Sequence, residues 1–133
     1  EEEFLIDIGG GVMFKGFIDR LDIQGNTARI IDIKTQAKKF TADELRTNLQ
    51  ASIYNIAARK LYPNITGPIR VEFWVLRHEI QAVTKTEINS VKESFELSKQ
   101  GKVIMDWDEK IFPPATSGAH CRWCPYIEKC PEW

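Results

Sequence analysis

Residues 12–35 read Val12-Met13-Phe14-Lys15-Gly16-Phe17-Ile18-Asp19-Arg20-Leu21-Asp22-Ile23-Gln24-Gly25-Asn26-Thr27-Ala28-Arg29-Ile30-Ile31-Asp32-Ile33-Lys34-Thr35. Two runs rich in apolar and β-branched residues, Val12–Ile23 and Ala28–Lys34, flank Gln24–Thr27. The central Gly25-Asn26 pair is a two-residue hairpin signal. A hairpin turning there sets Asp19 directly opposite Asp32. Cross-strand partners share a face, with Cβ atoms about 4.5–5.5 Å apart. Lys34 lies two residues beyond Asp32 and projects from the same face, whereas Asp22 falls on the other and reads as structural. A loop of odd length would break this register and send one carboxylate to the wrong side.

Two carboxylates facing each other on an apolar strand pair repel unless something compensates. One compensator is a divalent cation, and carboxylate oxygens suit hard Mg²⁺ or Mn²⁺ better than zinc. The other is an ordinary ion-pair network with Lys34, Arg20 and Arg29. Asp32 and Lys34 interrupt the apolar run Ile30-Ile31-x-Ile33, where burial makes an unpaired charge costly. Residue chemistry alone leaves both readings open.

Outward from the hairpin, Phe4–Ile8 is a further strand. Thr41 and Glu44 form a capping box that starts a helix with an apolar stripe at Leu45, Leu49, Ile53, Ile56 and Leu61; Pro63 ends it. Ile69–Leu76 reads as a buried strand. Glu87–Gln100 reads as a second helix with Ile88, Val91 and Phe95 on one face. Pro113-Pro114 then breaks the chain before a cysteine-rich segment. The expectation is an α/β domain, a mixed sheet flanked by helices over residues 1–112, with a Cys-rich tail over 113–133 packed on it.

The 133 residues carry 18 Lys and Arg against 19 Asp and Glu, a net charge of −1. That excludes a domain that grips nucleic acid by overall charge, so any DNA binding must rest on a local site. No apolar run approaches the roughly 18 residues of a membrane helix, and no leader-like segment is visible. The expected location is therefore cytoplasmic, with no membrane partner. The Asn64-Ile65-Thr66 triplet needs a secreted protein to matter and is set aside. The missing initiator Met and the end at Trp133 read as the limits of a piece of a longer polypeptide.

All three cysteines fall within ten residues, as Cys121-x2-Cys124-x5-Cys130. In an intracellular chain this points to metal or cluster ligation rather than a disulfide framework. Three thiolates suit zinc or an iron–sulfur cluster. His120 as a fourth ligand is awkward beside Cys121, which leaves three thiols without metal as the competing reading. Trp123, Tyr126 and Trp133 either stack on bases or cover the core, and His78 reads as a strand-end residue.

Gly16-Phe17-Ile18-Asp19-Arg20-Leu21-Asp22 followed by Asp32-Ile33-Lys34-Thr35 resembles the RecB-type branch of the PD-(D/E)XK nucleases. That family follows its Asp-x-Lys strand with a helix bearing Gln-x-x-x-Tyr. Here Gln50 and Tyr54 supply it, at i and i+4 on one helix face. The resemblance spans roughly Gly16 to Cys130 and implies a restriction-endonuclease-like core that hydrolyses DNA with Mg²⁺ or Mn²⁺, as an exonuclease rather than an endonuclease. It implies Asp19, Asp32 and the carbonyl of Ile33 as metal ligands and Lys34 as the group acting on water and phosphate. Gln50 and Tyr54 would support the site or contact DNA. The cysteines look like the 4Fe-4S tail of AddB-like, CRISPR-associated and phage RecB-like exonucleases, with Cys121, Cys124 and Cys130 as ligands and a helicase domain or subunit as a partner.

Two departures stand out. The family carries another metal ligand on a helix before these strands, where this chain has only Glu1-Glu2-Glu3, and the fourth cluster Cys is absent. Competing readings are a nuclease fold that binds DNA without cutting it, and a zinc-ribbon-like interaction module. The first leaves the retained Asp residues and Lys34 without a purpose; the second leaves the Asp-x-Lys hairpin unexplained.

Overall fold

The computed structural model describes residues 1–106 and 118–130. The chain divides into two compact units, residues 1–102 and 103–133. In the first, β1 (Glu2–Asp7) and β2 (Met13–Ile18) form an antiparallel hairpin. Strands β3 (Arg20–Gln24), β4 (Thr27–Lys34), β5 (Ile69–Val75) and β6 (Ile80–Lys85) form a second sheet in that order. Its central pair, β4 and β5, is parallel, and the outer pairs are antiparallel. A parallel neighbour needs a crossover, which α1 (Ala42–Arg46) and α2 (Leu49–Leu61) supply; α3 (Glu87–Met105) follows β6. The result is an α/β fold with a mixed four-stranded sheet flanked by helices, as a restriction-endonuclease-like core requires.

The core is built from Phe4, Ile18, Ile30, Ile56, Val71 and Phe73 with smaller neighbours. Gly16, the first residue of the sequence motif, faces Phe4 across β1–β2. A Cβ on Gly16 would sit 2.7 Å from Phe4 Cζ, and that ring is buried and has nowhere to go. Gly16→Ala is therefore expected to cost about 1–3 kcal/mol of stability as an overpacking substitution. Urea denaturation checks this; a loss under about 0.5 kcal/mol would show that the ring shifts freely.

Several expectations are corrected. The run Val12–Ile23 is not one strand: the chain bends at Asp19, so β2 pairs with β1 and β3 with β4. The helix expected from Thr41 to Leu61 is two helices. The Thr41–Glu44 capping box is present, but Thr47 closes α1, and the Asn48 side chain accepts from Ala51 N at 2.9 Å to cap α2 afresh. Thr and Asn side chains compete with the helix for backbone bonds and favour caps.

The buried face of α2 is wider than the expected stripe. Ile56 is buried and Leu45 and Ile53 pack against the core, as expected, but Leu49 is 55% exposed and Leu61 lies at the surface, while Ala51, Tyr54, Asn55 and Ala58 are buried as well. Asn55 is kept in the core by donating to Thr86 O and accepting from Arg59 Nε. Arg59 in turn donates to the carbonyls of Ile65 and Gly67 and fastens the end of α2 to the loop before β5.

Strand β6 was not anticipated. Helix α3 runs to Met105, and its buried residues are Ser90 and Leu97. Ile88, Val91 and Phe95 share a face as expected, but that face is turned to the surface, with Ile88 80% exposed.

In the second unit, Ala119–Trp123 and Ile127–Lys129 are short 3-10 turns. The expected break at Pro113-Pro114, the expected boundary after residue 112, and Trp133 lie outside the described residues. Among the described residues no helix is long and apolar enough to cross a membrane.

Candidate active site

Alternation along β4 turns Ala28, Ile30, Asp32 and Lys34 toward the helices. Ala28 and Ile30 belong to the core, and Asp32 follows them inward at 3% exposure. The β3–β4 ladder pairs Leu21 with Ile30 and Ile23 with Ala28, the expected register. It stops at Arg20 opposite Ile31, so Asp19 sits in the bend just past the last pair. Freed from the ladder, the exposed Asp19 carboxylate accepts from Ile33 N through Oδ2 at 2.9 Å.

Helix α2 meets Asp32 with two side chains. Tyr54 Oη donates to Asp32 Oδ1 at 2.7 Å, and Gln50 Nε2 donates to the same oxygen at 2.9 Å. Gln50 Nε2 also donates to Tyr54 Oη at 2.7 Å, while its carbonyl accepts from Lys34 Nζ at 2.6 Å. Burial, and after it the bond to Asp32, raises the Tyr54 phenol above its ordinary value, so it stays a protonated donor at any working pH.

The other oxygen of Asp32 is different. Oδ2 is buried and has no hydrogen-bond partner, although Lys34 Nζ lies 2.7 Å from it. The distance is that of an ion pair, so the ammonium meets the charge of Oδ2 from a direction off that of an ordinary hydrogen bond.

The structure thus brings Asp32, Lys34, Gln50 and Tyr54 into one connected group and puts Asp19 beside it at Ile33. Asp22 points to the opposite face, where the side chains of Arg20 and then Arg29 hydrogen-bond to it and hold its carboxyl below the usual range. The side chain of Ile33 is exposed on that opposite face too. His78 lies in the β5–β6 turn with Nε2 2.8 Å from Ala37 O. In the second unit, Cys121, Cys124 and Cys130 are free thiols, each partly exposed, and Trp123 and Tyr126 are exposed rather than covering. Among the described residues, no three His, Cys, Asp or Glu side chains converge as a metal-binding group.

The family model for the PD-(D/E)XK nuclease superfamily matches residues 1–131, nearly the whole chain. The chain belongs to the PD-(D/E)XK nuclease superfamily. No curated protein sequence and no solved structure shows significant similarity to it.

For this PD-(D/E)XK chain, sequence reading missed what organises the site. The bridge from Gln50 to Lys34 joins residues 16 positions apart and orients the ammonium. Gln81 grips the backbone of Phe40 through both its amide groups, accepting from Phe40 N and donating to Phe40 O, each at 2.7 Å. That clamp holds the loop leaving β4. Gln50 is marked by its motif but its bond to Lys34 is not, and nothing local marks Gln81; both bonds depend on the crossover that brings α2 to the end of β4 and on β6 following β5 in the sheet.

Proposed function

We propose that this chain is a metal-dependent deoxyribonuclease domain of the RecB-type branch, hydrolysing phosphodiesters at DNA ends or in single strands during recombination, repair or mobile-element processing. The observation that carries this reading is the connected group around Asp32, a buried carboxylate held at Oδ1 by Tyr54 and Gln50 with the Lys34 ammonium 2.7 Å from Oδ2. The donor set fits a hard cation: two carboxylates, Asp19 and Asp32, with the carbonyl of Ile33 as the family resemblance implies.

A divalent ion held there would polarise the phosphate and lower the pKa of a bound water. The chain's own residues have distinct tasks. Tyr54 and Gln50 lock the Asp32 carboxylate by occupying Oδ1 and leave Oδ2 for the ligand. Gln50 also draws the Lys34 ammonium to a defined position, where it can contact the scissile phosphate or the attacking water. The cysteines enter no step, since the described residues do not gather them into a cluster. Exonuclease action and a helicase partner belong to this reading as expectations carried from the family.

Calorimetric titration of Mn²⁺ into the protein tests the site. Saturable binding is expected in the native chain and absent in both Asp19→Ala and Asp32→Ala. Binding that survives either substitution would move the metal away from this hairpin, and no binding to the native chain would leave Asp32 as the buried partner of Lys34 and Asp19 as surface charge.

A further inference from the structure

Strands β4 and β5 run parallel, with Lys34 registered against Val75. Their carboxyl ends therefore leave the sheet at one edge, the place where open α/β sheets bind ligands. Two loops emerge there, residues 35–40 and 76–79, and they are stitched together. Leu76 N donates to Lys34 O, His78 Nε2 meets Ala37 O, Lys39 pairs with Glu79 at 3.1 Å, and Gln36 Nε2 donates to Lys38 O. With the clamp of Gln81 on Phe40, the first loop has a defined path.

This edge is also where the charge of the chain is unbalanced. Residues 34–40 and 75–81 contain Lys34, Lys38, Lys39 and Arg77 against the single carboxylate of Glu79, a net +3 with His78 neutral. The whole chain is −1, so everything else carries −4. Lys34 and Lys39 are spent on Asp32 and Glu79. Lys38 and Arg77 are exposed and form no ion pair among the described residues. Scattered surface cations need no explanation, but cations from two segments about 40 residues apart, on an otherwise acidic chain, converge here on the edge that carries Asp32.

We propose that Lys38 and Arg77 form a phosphate-binding ledge that holds the DNA backbone next to Lys34, with His78 as the strut that positions it. The proposal rests on the nuclease reading for its ligand and supplies the local site that the net charge demands. Lys38 and Arg77 position the strand; neither touches the reacting atoms.

The test is fluorescence anisotropy of a labelled single-stranded oligonucleotide in EDTA, where no cleavage occurs, repeated from about 50 to 200 mM KCl. Each phosphate contact adds roughly 0.9 to the slope of log affinity against log salt, or about 0.7 on a single strand. Lys38→Ala/Arg77→Ala is expected to weaken binding about tenfold at low salt and lower that slope by about 1.4. The charge-matched control Lys60→Ala/Lys92→Ala, exposed on α2 and α3, should change neither. An unchanged slope in the ledge variant, an equal loss in the control, or no binding by the native chain overturns the ledge. Cleavage with Mn²⁺ is scored separately: a chain that binds through the ledge but never cuts sinks the nuclease reading alone, and one that cuts with an unchanged slope sinks the ledge alone.

Discussion

Asp32→Asn is expected to lower Mn²⁺-dependent DNA cleavage by about 10³-fold or more while the protein remains folded. The substitution keeps the shape of the side chain and an oxygen for Tyr54 Oη and Gln50 Nε2, which both donate to Oδ1. It removes the charge and replaces Oδ2, the oxygen that faces Lys34, with an amide nitrogen that cannot ligate a cation. A bound metal supplies several kcal/mol of transition-state stabilisation, and about 4 kcal/mol corresponds to about three decades in rate. Lys34 loses its counter-ion, but its side chain is a quarter exposed and can turn to water. Single-turnover assays paired with thermal melts separate the two effects. Cleavage within tenfold of the native rate would remove Asp32 from the chemistry, and so would parallel loss of rate and fold.

The second large effect is on stability and lies away from the site. Lys85, at the end of β6, has a side chain only 5% exposed. Its ammonium donates to Glu93 Oε1 on α3 at 2.7 Å and to Ser52 Oγ on α2 at 3.2 Å. Glu93 Oε2 is buried without a partner. Glu93→Ala strands the buried ammonium and is expected to cost about 3–5 kcal/mol, a large share of the 5–15 kcal/mol typical of a domain. The double variant Lys85→Met/Glu93→Leu should recover most of that loss, because apolar replacement of a whole buried pair is often neutral or stabilising. Denaturant melts of the two proteins decide it. A cleft of about 590 Å³ borders the pair, and if water from it hydrates the charges, the single variant will lose under about 1 kcal/mol, as exposed pairs do.

Much of the candidate site was legible because hairpin geometry is local. Gly25-Asn26 sets the β3–β4 register as far as Arg20 opposite Ile31, and alternation along β4 puts Asp32 and Lys34 on one side without reference to the rest of the chain. Gln50 and Tyr54 share a helix face by their i, i+4 spacing, but only the resemblance of the motif order to the nuclease family singled them out. The helices were less so. In α2 the expected stripe included Leu49 and Leu61, which lie at the surface, and left out Ala51 and Ala58, which are buried beside Ile56. In α3 the apolar Ile88, Val91 and Phe95 face outward while Ser90 and Leu97 face in. Periodicity identifies a helix, but which face is buried depends on how closely its neighbour can approach.

The sequence by itself determined the α/β class, the β3–β4 hairpin that carries Asp-x-Lys, and membership in a nuclease superfamily, since these rest on turn chemistry, alternation and motif order along contiguous residues. Only the tertiary structure decided that Asp19 sits in a bend, that α2 locks Oδ1 while Lys34 faces Oδ2, and that the loops carrying Lys38 and Arg77 are joined. The last two come from the parallel crossover, which joins segments about 16 to 40 residues apart. Hydrogen-bond direction and burial follow from that joining, and no local pattern of residues encodes them.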